Sequence, residues 1–210
     1  MDFGALFSSF VTLFLVIDPI GTAPLFVALT QGMGVPRRRA IALRACAIAA
    51  GILTLFGLFG NAMLDLLGIS LPAFRIAGGI LLFLIAIDML FERRSQRRQD
   101  RADDEAEGHD PSVFPLATPL VAGPGAMAAM MLLTTQDGAT WRQVAETHAM
   151  MAAVILMVLA MFLLAPVIER ALGRTGIVVV TRLLGMILAA LSVQFVIDGL
   201  DALGAIPAPP

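Results

Sequence analysis

The chain reads as an all-α integral membrane protein of six transmembrane helices, and three observations predict it. Of its 210 residues, 59% are hydrophobic and 14% charged, with a mean hydropathy of +0.89; soluble domains carry about 45–50% apolar and about 25% charged residues. The apolar residues gather in runs of about twenty, the length that crosses a bilayer core as a helix. Finally, all 14 basic residues are arginines, and they cluster between alternate runs.

The runs cover residues 4–29, 41–64, 73–91, 113–134, 147–168 and 177–200. The first opens on "MDFGALFSSFVTLF", which lacks the basic start of a secretory signal, so a retained first span is expected. Between the third and fourth lies "ERRSQRRQDRADDEAEGHDPS", a polar stretch of mixed sign expected to form a solvated loop or short surface helix without chemistry. The expected division is an N-terminal three-helix repeat (1–91), a polar cytoplasmic loop (92–112) and a C-terminal three-helix repeat (113–210).

Arg37, Arg38, Arg39 and Arg44 flank the first loop, Arg93, Arg94, Arg97, Arg98 and Arg101 occupy the third, and Arg170, Arg174 and Arg182 surround the fifth. Only Arg75 and Arg142 lie near the second and fourth loops. The positive-inside rule then puts loops one, three and five in the cytoplasm and both termini outside. The expected location is the bacterial inner membrane, with periplasmic termini. The single cysteine, Cys46, has no internal disulfide partner and is expected to be a packed core thiol. His109 and His148 fall in or beside polar loops, which argues against a histidine-based metal or catalytic cluster.

Displacing the sequence by 100 residues lays "DPIGTAPLF" over "TPLVAGPGAM", so that Asp18-Pro19 meets Thr118-Pro119 and Pro24 meets Pro124. The third runs of each half also match: "FRIAGGILLFLIAIDML" resembles "TRLLGMILAALSVQFVIDGL", pairing Arg75 with Arg182 and Gly78 with Gly185. Ile-Asp-x-Leu then closes both, at Asp88 and Asp198, after a three-residue insertion. Three spans per half is an odd number, so the second half enters the membrane inverted, as in many secondary transporters whose sites lie near the midplane.

Proline deletes a backbone bond and clashes with the preceding turn, and it pushes the residue before it away from the α region. Asp and Thr are good N-caps, and proline suits the first helical position. Helices one and four are therefore expected to break at Asp18-Pro19 and Thr118-Pro119, with Gly21, Gly123 and Gly125 allowing close backbone approach. Interrupted backbone in hydrocarbon is tolerated only inside protein or beside a polar cavity, and half-helix N-termini suit anions. The expected substrate site is thus Asp18, Pro19, Gly21, Thr22, Pro24, Thr118, Pro119, Gly123, Pro124 and Gly125. Asp18, roughly 20 Å along its span, could instead face an ammonium group, a cation or a proton. Arg75, Asp88, Arg182, Gln194 and Asp198 are secondary candidates for gating or coupling, with interfacial anchoring the simpler role for the arginines. The small residues Gly51, Gly57, Gly60, Gly78, Gly79, Ala126, Ala128 and Ala129 read most simply as close helix packing.

"DPIGTAPLFVALT", "RIAGGILLFLIAIDML" and "PLATPLVAGPGAM" resemble the signature segments of the MarC family of bacterial inner-membrane proteins, over essentially the whole chain. The resemblance implies six spans and a grouping with small neutral amino acid transporters, in the company of exporters related to the lysine exporter. The family's name carries an association with multiple antibiotic resistance, which does not imply drug transport. The family's first motif often has Asn after the glycine, where this chain has Thr22; selectivity here is expected to differ if that Asn binds substrate.

Together these readings predict a secondary transporter, exporting or importing small neutral amino acids or similar metabolites between helices one and four. A passive channel for small neutral solutes and a membrane-organising protein without transport are the competing classes. No G-x4-G-K-[ST] loop supplies ATP chemistry, and no serine elbow, H-E-x-x-H or membrane histidine pair points to an enzyme. No cofactor is expected, coupling to protons or Na⁺ being open. The expected partners are the bilayer and a small-molecule substrate, with a homo-oligomer allowed and no nucleic acid.

Overall fold

The computed structural model describes residues 3–30, 33–91, 111–135 and 140–205, which are helical apart from short connections. The 92–110 part of the polar loop, with its five arginines and His109, lies outside the described residues. The helices are α1 (Phe3–Ile17), α2 (Pro19–Leu29), α3 (Val35–Leu67), α4 (Leu71–Leu90), α5 (Ser112–Val121), α6 (Pro124–Thr134) and α7 (Trp141–Ala202).

The boundaries follow local chemistry. At Asp18, α1 stops because that residue adopts φ 58, ψ 65, and Pro19 then opens α2. The hydrogen-bond ladder continues across the break: Asp18 N–H donates to the Phe14 carbonyl (2.9 Å) and Thr22 N–H to the Asp18 carbonyl (3.1 Å). The two helices form one 27-residue apolar span, Phe3–Leu29. With 33 residues, α3 is about 50 Å long and outruns the ~30 Å bilayer core. It closes on Gly68, whose φ of 67 is a left-handed cap that glycine adopts without cost. A Ser70 cap and Pro72 at the second position start α4.

The fourth span is the irregular one. In α5, Phe114 (φ −132, ψ 127) and Thr118 (φ −133, ψ 127) are extended, each before a cis proline. The turns between are wide, with Leu116 N–H donating to the Pro111 carbonyl (3.3 Å) and Ala122 N–H to Ala117 (2.9 Å). The restart at Pro124 leaves α6 bent by 53° from α5. A reciprocal Thr140–Gln143 capping box starts α7. Spans five and six are two helices that meet at a kink at Gly173 (φ 60, ψ 173), and α7 denotes the pair. Between them the chain reads PVIERALGR (166–174), and its one residue outside helical geometry is Gly173. Its two limbs carry the spans Trp141–Ala165 and Thr175–Ala202. Among the described residues there are thus five membrane-length spans, and six with the bent α5–α6 pair.

Packing puts the broken span inside. Gly125, Ala126 and the whole of Ala128–Thr134 on α6 are buried, and α6 packs against α1, α3, α4 and α7. Phe26 of α2 stacks on Phe162 of α7 at 4.5 Å between ring centroids. Large apolar residues such as Phe3 and Leu66 stay 79% and 87% exposed, as suits lipid contact.

The α4 helix and the second limb of α7 pack through glycines. A Cβ on Gly79 would lie 2.8 Å from the Ser192 carbonyl oxygen and 2.8 Å from a Val196 methyl. One on Gly185 would meet Met89 at 2.9 Å and the Ala86 carbonyl at 3.3 Å, and one on Gly199 the Pro72 carbonyl at 3.0 Å. Rising numbers on α4 meet falling numbers on α7, so the pair is antiparallel. That register brings Arg75 to the level of Asp198, and Arg182 to the level of the α4 C-terminus that bears Asp88. Close backbone approach through small residues is how helices associate where no hydrophobic effect separates them from lipid.

Replacing Gly79 by Leu should cost about 1–3 kcal/mol by overpacking against backbone, read as a lower unfolding midpoint in detergent. Gly51, whose added Cβ meets nothing within 4 Å, should accept Ala and gain up to about 1 kcal/mol of helix propensity. Equal effects of the two substitutions would contradict the packing seam.

Candidate functional site

A cavity of about 350 Å³ opens between α4 and the broken span, at the small end of the roughly 300–1,000 Å³ usual for ligand pockets. Its apolar wall includes Val16 from α1 and Leu81, Leu84 and Ile85 from α4; Asp88 supplies the carboxylate. The opposite wall is the break itself: Pro115, Pro119, Leu120 and Val121 of α5, then Gly123, Pro124, Gly125 and Ala126.

The glycines here are dictated by contact. A Cβ on Gly123 would overlap the Pro119 carbonyl oxygen, and one on Gly125 would overlap the end of Ile85 and lie 3.3 Å from Val16. Gly123 is the N-cap of α6 and offers no side chain to its first turn. Pro124 has no N–H, and the first α6 ladder bond runs from Met127 to the Gly123 carbonyl (3.0 Å). The amides of Gly125 and Ala126 precede that bond, so the helix supplies them no carbonyl, and both residues are on the cavity wall. The positive end of α6 and the half-buried Asp88 thus share one cavity.

Five of the fifteen candidate residues meet there: Pro119, Gly123, Pro124, Gly125 and Asp88. Thr118 is half-buried beside them but not on the wall. The first break lies elsewhere. Asp18, 1% exposed, caps α2 by accepting from Gly21 N–H at 3.0 Å, and a Cβ on Gly21 would overlap its carboxylate. The Thr22 hydroxyl donates to the Pro19 carbonyl at 3.0 Å, so the Thr that replaces the familiar Asn is engaged within its own turn. Asp18, Pro19, Gly21, Thr22 and Pro24 are not part of this wall. Neither are the half-buried Arg75 or the exposed Arg182. Gln194 donates to Asp198 at 2.7 Å on the exposed face of its own helix, rather than to a neighbouring helix.

Sequence reasoning missed the α4 wall, because Leu81, Leu84 and Ile85 carry no signal apart from the i, i+3, i+4 spacing that ends at Asp88. It also placed His148 beside a loop. The residue sits in α7 with Nδ1 2.7 Å from the Val144 carbonyl and a buried, unpartnered Nε2 against Gly57 and Met130. Cys46 is buried, as expected of a core thiol. Among the described residues no group of His, Cys, Asp or Glu could hold a metal ion.

Membrane-length helices wrapped about a broken span define a multi-pass integral membrane protein. The chain belongs to the MarC family: the model described as "MarC family integral membrane protein" matches residues 3–203. Among its relatives, a UPF0056 membrane protein of Archaeoglobus fulgidus is 39% identical over 195 residues, 92% of this chain and 91% of the relative. UPF0056 membrane protein YvbG of Bacillus subtilis is 35% identical, covering 97% of each chain. YhcE of Escherichia coli is 33% identical, covering 96% of this chain and 94% of its own. The archaeal relative shows that likeness to this chain extends beyond bacteria. No solved structure matches the chain.

If Asp18 acts as a cap, Asp18→Asn should leave the unfolding midpoint nearly unchanged, because Asn both caps helices and tolerates the left-handed region. Asp18→Ala should cost about 1–3 kcal/mol, from the lost cap and the left-handed strain combined. Equal losses in both variants would assign Asp18 a role that depends on charge. Gly123→Ala, which drives a methyl into the Pro119 carbonyl, should lower the midpoint more than Gly51→Ala in the same assay.

Proposed function

We propose that the protein is a secondary transporter of small neutral amino acids or similar metabolites, and that the cavity between α4 and the α5–α6 break is its binding site. The observation that carries this reading is the pairing of opposite polarities in one small apolar cavity. Asp88 would meet an ammonium group, and the positive end of α6, with the Gly125 and Ala126 amides, a carboxylate. The apolar wall of Val16, Leu81, Leu84 and Ile85 would take a short side chain. The acid that faces substrate is then Asp88, and Asp18 stabilises the other break. The chain would move its substrate unchanged, as a transporter and not an enzyme, in the bacterial inner membrane with both termini outside.

The inverted repeat belongs to this proposal. The α4–α7 contact supports it, since Gly79 on one helix and Gly185 on the other each seat a turn of the partner. Each end of the pair brings together the levels of one arginine and one acid. Of the two matched breaks, the one at Thr118–Gly125 borders a cavity and the one at Asp18 closes on its own cap. Exchange of these two conformations between the halves is the rocking expected of inverted repeats.

The test is counterflow in proteoliposomes with labelled small amino acids. Asp88→Asn should reduce exchange at least tenfold while leaving folded yield unchanged, and Asp18→Asn should retain most of it. Full exchange in Asp88→Asn would move the site elsewhere. Flux without accumulation or counterflow would favour a passive pore, and no flux for any solute tried, with folded protein, would sink the transport reading.

A further inference from the structure

The stretch from Pro19 to Leu64 contains Arg37, Arg38, Arg39 and Arg44 and no acidic residue at all. Three of these arginines are consecutive in the opening turns of α3, which has no acidic residue in its first turn and a Gly34 N-cap without a side-chain bond. Cations at a helix N-terminus oppose the macrodipole, so this arrangement destabilises the helix end unless an anion joins it. Carboxylates four residues along usually offset such charge. Arg142, near the start of α7, has such a partner in Glu146 at 3.0 Å. In α3 the residues four further on are Ile41, Leu43 and Ala42, all apolar, and α2 beside it carries no charged residue. Among the described residues Arg37, Arg38 and Arg39 make no ion pair.

The geometry of the patch is defined. Arg38 is half-buried and lies over the Phe26 ring, 5.7 Å from its centroid, a contact that holds the guanidinium against α2. Arg37 and Arg39, about 100° away on either side, are exposed. Below them the same helix enters its apolar stretch, with Leu43 56% exposed. Three guanidinium groups therefore stand at one end of a membrane span, directly above a surface that faces acyl chains. Guanidinium binds phosphate oxygens bidentately, and basic clusters next to a span attract anionic lipid.

We propose that Arg37, Arg38 and Arg39 at the start of α3 form a docking site for the phosphate headgroup of an anionic phospholipid, whose acyl chains lie along α3. The site is separate from the transport cavity and depends only on the chain being embedded in a membrane.

The experiment is thermal unfolding of the purified full chain in neutral detergent. Phosphatidylglycerol, phosphatidylcholine and inorganic phosphate are added in turn at equal phosphorus concentration. Native mass spectrometry counts the lipid retained. Phosphatidylglycerol should raise the wild-type midpoint by several degrees, well beyond phosphatidylcholine, and added salt should shrink the difference. Arg37→Gln/Arg39→Gln, which leaves the Arg38–Phe26 contact in place, should lose most of that shift and of the retained lipid; Arg37→Lys/Arg39→Lys should keep a large part. Equal shifts with both lipids, or an undiminished phosphatidylglycerol shift in the Gln variant, would overturn the proposal. So would an equal shift with inorganic phosphate, which would assign the patch to a soluble anion. If the Gln variant does not fold, lipid retention by the wild type and the Lys variant decides: no preference for phosphatidylglycerol there also overturns it.

Discussion

A helix that gives up its hydrogen-bond ladder inside a bilayer must be covered by protein, because hydrocarbon offers its amides and carbonyls nothing. The arrangement of this molecule follows from that constraint at α5–α6. Two extended residues, wide turns and an uncapped restart at Pro124 leave more unsatisfied backbone than a lipid-facing helix could carry. The sequence accordingly makes α6 small and apolar, with Gly125, Ala126, Ala128 and Ala129 buried, so that α1, α3, α4 and α7 can close around it. Where they do not close completely, the cavity remains, and the first turn of α6 lines it together with Asp88.

The two breaks solve the same problem differently. At Asp18 the chain needs one residue out of helical geometry, and the aspartate answers it locally by accepting from Gly21 N–H, so α1 and α2 make one span. At Thr118–Gly123 no side chain caps the restart, and the chain bends by 53°. On the proposed inverted-repeat reading, a closed break and an open one in matched positions would be the two conformations exchanged.

How much was legible follows from the range of the interactions involved. The six spans could be read because hydrophobic length is a local property, and the Asp18 cap because Asp-Pro restricts only its own turn. The second break was placed correctly near Thr118-Pro119, but as a cap; Gly123, not Thr118, precedes the new helix, because the extended Phe114 and Thr118 spread the irregularity over two prolines. The choice of Asp88 over Asp18 as the cavity acid was not legible. Asp18 interrupts its apolar run and Asp88 lies near the end of its own, and only the packing of α4 across the break tells them apart. The tightness of the fifth connection has a similar origin, since one glycine at positive φ, Gly173, breaks the helix where a longer loop was expected. His148 shows the converse error: a polar neighbourhood in sequence, "AETHAM", became a helix face packed on Gly57.

The central claim is that the wall of α4 facing the break borders a solute-binding cavity, and labelling of single cysteines measures this directly. In a Cys46→Ala background, Ile85→Cys and Leu82→Cys would be reacted with a small hydrophilic thiol reagent in proteoliposomes, with and without the transported amino acid. The account predicts that Ile85→Cys reacts and is protected by the solute. Leu82→Cys, on the fully buried side of the same helix, should stay unreactive. An unreactive Ile85→Cys, or one that reacts identically with and without every solute tried, would contradict the cavity's role.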